Sequence, residues 1–134
     1  MTRALVAGCL FLSVGCMIPP ERQPLKPLPD DGVVLTYADA VARARLQATA
    51  AVEAFYVNRW EDLEDSAKGI EQTARFLGKA TDVPVKFKDI LPVESGDLGK
   101  AATQLREAAK AKDVQLTSEI LQKINLKVRE LRPQ

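Results

Sequence analysis

The chain has no histidine, and its only cysteines (Cys9, Cys16) and only methionines (Met1, Met17) fall in the first 17 of its 134 residues. Beyond residue 17 no side chain offers imidazole, thiolate or thioether to a metal, and no disulfide can form. No histidine is available to activate Ser66, Ser95 or Ser118 for nucleophilic attack. Aromatics are few, with one Trp, two Tyr and four Phe. The seven glycines are scattered, and none builds a loop that could cradle a phosphate. A surplus of one charge is missing as well. Lys and Arg number 19 against 18 Asp and Glu, so the chain has no general attraction for nucleic acid, which rewards clustered cations. These absences predict a non-enzymatic protein with no catalytic residue, no metal site, no cofactor and no nucleic-acid partner.

What is present divides into three stretches. Residues 1–15 open on a short basic start, Thr2-Arg3, and continue as an apolar run over residues 4–14. A bilayer span needs about twenty apolar residues, so the run is too short to cross; it has the make-up of an export signal instead. The following Ser13-Val14-Gly15-Cys16 resembles the lipobox of bacterial lipoproteins, in which a cysteine after a small residue receives diacylglycerol. Leu12 stands one place earlier than the leucine of that pattern. Val6-Ala7-Gly8-Cys9 fits the local pattern better but leaves too few apolar residues ahead of it, so Cys16 is the assigned lipidation site. A plain secretory signal, cleaved without lipidation, is the alternative.

Residues 16–35 hold Pro19, Pro20, Pro24, Pro27 and Pro29, five of the eight prolines. Proline fixes φ and lacks an N–H, which forbids a regular helix and favours an extended, semi-rigid spacer. The expectation is a lipid-anchored tether that lifts a folded module off the membrane.

From residue 36 to 134 a helical period takes over. Four apolar stripes run at spacings of three and four: Tyr37, Val41, Ala44, Ala48, Val52, Phe55; Leu63, Ala67, Ile70, Ala74, Leu77; Leu98, Ala101 or Ala102, Leu105, Ala108 or Ala109; and Leu116, Ile120, Ile124, Val128, Leu131. Asn58 with Glu61 reads as a capping box that opens the second helix near Trp60. Ser95 is the expected cap of the third helix and Asp113 of the fourth. Pro84 and Pro92 lie in the longest break, residues 80–94. Four stripes with mostly short links predict an all-α, antiparallel up-down-up-down four-helix bundle. A three-helix form, with the first two segments continuous through Asn58, is the alternative.

Two charged clusters stand out. Glu61, Asp62, Glu64 and Asp65 could make a weak calcium site or an acidic docking patch. They also suit the positive end of a helix dipole, and no calcium loop surrounds them. Lys123, Lys127, Arg129 and Arg132 could meet lipid headgroups or an anionic partner, and equally suit the negative end of the last helix. Lys79, Lys86 and Lys88 are too sparse to define a site.

The Trp that opens the second helix (Asn58-Arg59-Trp60-Glu61-Asp62-Leu63), the long proline-containing second connection and the Ala-rich third helix leading through Lys112-Asp113 to the fourth resemble the cytochrome c-prime family over residues 37–132. The resemblance implies an exported four-helix bundle. The family carries a covalent haem on Cys-x-x-Cys-His in the last helix, where this chain reads Val128-Arg129-Glu130-Leu131-Arg132. Thioether attachment needs the two thiols and iron needs an axial donor, so no functional residue of the family carries over. Val128 and Leu131 are expected to fill the core instead. The expectation is an envelope lipoprotein with a binding or structural role, the alternative being a periplasmic haem-binding electron-transfer protein of cytochrome type. The implied partners are the membrane, through the palmitate-bearing anchor, an envelope protein and a second copy of the chain. Met17 after the anchor favours the outer membrane, the module facing the periplasm.

Overall fold

The computed structural model describes residues 24–133. The leader, Cys9, Cys16, Met17 and the first prolines of the tether lie outside the described residues. Within them are four α-helices and no strand: α1 Tyr37–Tyr56, α2 Trp60–Gly78, α3 Leu91–Lys110 and α4 Val114–Glu130. Each helix packs against two neighbours, α1 on α2 and α4, α3 on α2 and α4, closing a four-helix bundle around one core. Among the described residues no helix is long and apolar enough to cross a membrane.

The predicted stripes supply that core. All five stripe residues of α2 are buried, as are Leu98, Leu105 and all four alanines of the α3 stripe, with both members of each alternative pair. In α1 the stripe is buried as far as Ala48, with Val52 and Phe55 half-buried against the cluster. The α4 stripe fails only at its start. Leu116 is 44% exposed, because in the first turn of α4 it lies on the outer groove between α3 and α4; Thr117 and Leu121 turn inward beside Ile120 instead.

The short connections decide the helix count. Residues 57–59 and 111–113 are built alike. In the first, Asn58 is left-handed (φ 57°), the Arg59 N–H bonds the Ala54 carbonyl at 2.9 Å and the Asn58 N–H bonds the Phe55 carbonyl at 3.1 Å. In the second, Lys112 is left-handed (φ 52°), and Asp113 and Lys112 bond the Ala108 and Ala109 carbonyls, each at 3.0 Å. This is the Schellman arrangement, which satisfies the last carbonyls of a helix and stops it. A left-handed residue cannot sit inside a right-handed helix, so the continuous three-helix form does not occur.

Two capping expectations are corrected. Asn58 makes no capping box, because its left-handed backbone is spent ending α1; Arg59 precedes α2 with no side-chain cap. Ser95 does not open α3. That helix starts four residues earlier, with Pro92 in its first turn, where the missing N–H would have had no helical partner anyway. Ser95 lies buried one turn in, and its hydroxyl donates to the Pro92 carbonyl at 3.3 Å. Asp113 caps α4 as predicted, accepting from the Leu116 N–H at 3.0 Å, and Thr36 caps α1 through the Asp39 N–H at 3.1 Å. The long connection contains a 3-10 turn at Val85–Phe87.

Candidate functional site

The place where the c-prime resemblance puts a haem is at the end of α4. Val128 and Leu131 are 3% and 2% exposed and belong to the central cluster, while Arg132 is exposed. The Leu131 carbonyl accepts the Tyr37 hydroxyl at 2.6 Å, a buried bond across 94 residues of sequence. Tyr37 also stacks on Phe87, with ring centroids 5.4 Å apart and planes 25° apart. Its backbone N–H donates to Asp82 at 2.8 Å. Burial pushes the Tyr37 phenol up to about 12, because a phenolate there would lose its water. One residue thus joins the start of α1, the α2–α3 connection and the end of α4. The position is packed with apolar side chains and a satisfied phenol. It offers no thiol for thioether bonds and no nitrogen or sulfur donor for iron, so the residues present do not fit a c-type haem.

The acidic cluster at the start of α2 does not converge on one point. Asp62 pairs with Arg59 at 3.0 Å and Asp65 with Lys68 at 3.0 Å, while Glu61 is exposed. Among the described residues no group of three or more metal-capable side chains comes together.

The basic cluster of α4 also divides. Lys127 turns toward α3 and meets Glu94 at 3.1 Å and Asp97 at 3.5 Å, its side chain 15% exposed. Burial disfavours its charge, but Glu94 and Asp97 more than offset that and move its pKa up. Lys123, Arg129 and Arg132 remain on the surface. Lys86 rides over the Phe87 ring at 4.5 Å, a cation–π contact.

Two arrangements were not legible from sequence. The first is a polar seam between α1 and α2. Gln47, 1% exposed, accepts the Thr73 hydroxyl at 2.8 Å. Its carboxamide fits because position 69 is glycine; a Cβ built there would stand 2.6 Å from the Gln47 Nε2. The Gln47 Nε2, the Ser66 hydroxyl and the Thr117 hydroxyl are buried without a hydrogen-bond partner. The available signal was a glutamine standing directly beside the stripe residue Ala48.

The second is the docking of the proline-rich arm. No helix forms in residues 24–36, in keeping with the prolines. The segment is not free, however. Gln72, 7% exposed on the outer face of α2, accepts the Leu28 N–H at 3.0 Å and donates Nε2 to the Leu28 carbonyl and to Asp30 at 3.1 Å. Arg75 reaches Asp30 at 3.3 Å, and Arg43 on α1 donates to the Lys26 carbonyl. The Gln72 hydrogen bond, then Arg75, hold the Asp30 carboxyl below its ordinary value of 3.8. Pro24, Leu25, Lys26 and Pro27 lie beside Arg59, Asp62, Asp65 and Lys68. The arm therefore starts alongside the first half of α2 and runs toward its second half before turning into α1.

A shallow groove lined by Ala108, Ala111, Leu116 and Ile120 marks the join of α3 and α4. Comparison of the chain with protein families, curated proteins and solved structures returns no match.

Proposed function

We propose that this chain is an envelope lipoprotein, anchored through Cys16, whose helical module binds a partner or supports envelope structure without a cofactor and without catalysis. The observation that carries the cofactor-free part is the packing at the end of α4. Val128 and Leu131 occupy the core, and Tyr37 closes over them through the Leu131 carbonyl. Core packing by Val128 and Leu131, at the positions where the resemblance has haem-bearing cysteines, supports a module that folds without haem. A cytochrome-type haem protein would require that cluster to open and would still have no axial donor there.

The up-down-up-down topology belongs to the same reading, and two sets of contacts support it. Tyr37, Asp82, Phe87 and Leu131 gather the start of α1, the chain after α2, the chain before α3 and the end of α4. Asn58, Trp60, Glu61 and Lys112 share a groove, which brings the α1–α2 and α3–α4 turns together. The c-prime likeness then describes an architecture without its haem. The anchored module would face the periplasm, with the outer membrane favoured by Met17.

Metabolic labelling tests the anchor. Radiolabelled palmitate should enter the protein, and Cys16→Ser should abolish the label. Labelling that survives Cys16→Ser would refute the site.

A further inference from the structure

We propose that residues 24–30 are a releasable strap: docked on α1 and α2, they fix the point at which the tether joins the bundle beside the start of α2, and undocked, they let the bundle stand off at a longer reach. The reach half of this inference rests on the lipid-anchor reading above; the docking half does not.

The docking chemistry is specific. The Gln72 carboxamide pairs with both backbone groups of Leu28, as a neighbouring β-strand would. Pro27 and Pro29 have no N–H, so Leu28 is the only residue of that trio with a donor to offer, and the register is fixed by it. Asp30, bonded to Gln72 and Arg75, sets the position two residues on, and Arg43 holds the Lys26 carbonyl two residues back.

The hold is also light. No residue from 24 to 34 is buried, so the strap adds nothing fully buried to the core. The Gln72 hydrogen bonds are part-buried and the Arg43 and Arg75 contacts exposed; so few polar contacts are of the same order as the backbone ordering they offset. Prolines reduce that ordering cost, which brings the docked and released states close to balance. The covalent geometry turns this balance into two lengths. Eight residue steps separate Cys16 from Pro24, at most about 28 Å at roughly 3.5 Å each. With the strap released, 15 steps separate Cys16 from Asp31, or up to about 53 Å on the same measure, while Leu35 stays packed against the core.

Hydrogen exchange on the purified full chain tests the docking. A fragment covering residues 27–29 has one backbone amide besides its own terminus, that of Leu28. The expected result is protection of about 10- to 100-fold, far below that of Leu63 or Leu105 in the helices. Gln72→Ala should abolish it and leave the helices protected. An unprotected Leu28 would show no docking, and protection equal to the helices would show a strap that does not release; either overturns the proposal. Reach is read in phosphatidylcholine vesicles carrying dansyl-labelled headgroups, with Trp60, the only tryptophan, as donor at the start of α2. Energy transfer should fall by about twofold in the Gln72→Ala/Arg75→Ala protein. Unchanged transfer would overturn the two-length claim. A protein that fails to float with the vesicles refutes the anchor and the reach together, while Leu28 exchange still decides the docking.

Discussion

At the scale of single residues, two glycines on neighbouring helices should respond to alanine with opposite sign. Gly96 in α3 has nothing within 4 Å of a built Cβ, so Gly96→Ala gains helix propensity, about 0.5–1 kcal/mol, with nothing to displace. Gly69 faces the Gln47 amide at 2.6 Å. There Gly69→Ala must push Gln47 off the Thr73 hydroxyl, leaving buried polar groups unpaired at about 1–3 kcal/mol. Urea unfolding of the two variants should show Gly96→Ala raised and Gly69→Ala lowered; two shifts of one sign would contradict the seam. Tyr37 supplies a pH signature. Its folded pKa is raised from 10.0 to about 12, so its contribution is complete below pH 10 and is lost as pH rises toward 12, at most roughly 3 kcal/mol. Tyr37→Phe should cost about 1–2 kcal/mol at neutral pH through the lost bond to Leu131, and its alkaline decline should be shallower than that of the unaltered protein. What declines in both includes the pairing of Lys127 with Glu94 and Asp97, which raises the Lys127 pKa and is likewise lost as rising pH removes the lysine proton.

At the scale of elements, the two left-handed turn residues are a matched pair. A non-glycine residue in that conformation costs about 1–2 kcal/mol, and asparagine tolerates it better than lysine. Lys112→Gly should therefore stabilise the protein by up to about 1 kcal/mol in a thermal melt, and Asn58→Gly by less. Asn58→Val should destabilise both the turn and the protein. The strap has its own pH dependence. The folded pKa of Asp30 is depressed below 3.8, so its part in docking is present above that value and is lost as pH falls through the folded value; Leu28 protection should weaken in acid before the helices unfold. These elements also show where sequence reading works. The α2 stripe was legible because Leu63, Ala67, Ile70, Ala74 and Leu77 depend only on the period of their own helix. The capping box at Asn58 misled because an asparagine before a helix serves equally as a cap or as a left-handed stop, and only the preceding helix decides. Ser95 misled because Pro92 reads as a breaker when its place in a first turn is unknown. The prolines of the arm predict a spacer, and nothing in them reveals a glutamine 44 residues away.

At the scale of the whole molecule, apolar packing must suffice to hold the bundle together. The core is aliphatic and alanine-rich, with Tyr37 and Phe87 as the rings of its central cluster and Phe76 on α2 also buried. The positions that resemble a haem-bearing motif, Val128 and Leu131, are part of that core. Deleting side-chain volume there should be felt as in any close-packed interior: Leu131→Ala is expected to cost about 2–5 kcal/mol, without changing any cofactor content. The order of charge, apolar run and cysteine predicts a leader and an anchor, whereas the module's partner has no comparable signature in these helices. The most direct measurement is a cooperative urea melt of the purified full chain, followed by circular dichroism beside a visible spectrum and repeated after chelator treatment. The expected result is a colourless protein with the same sharp transition before and after chelation; a stoichiometric Soret band, or a transition lost with the metal, would contradict the account.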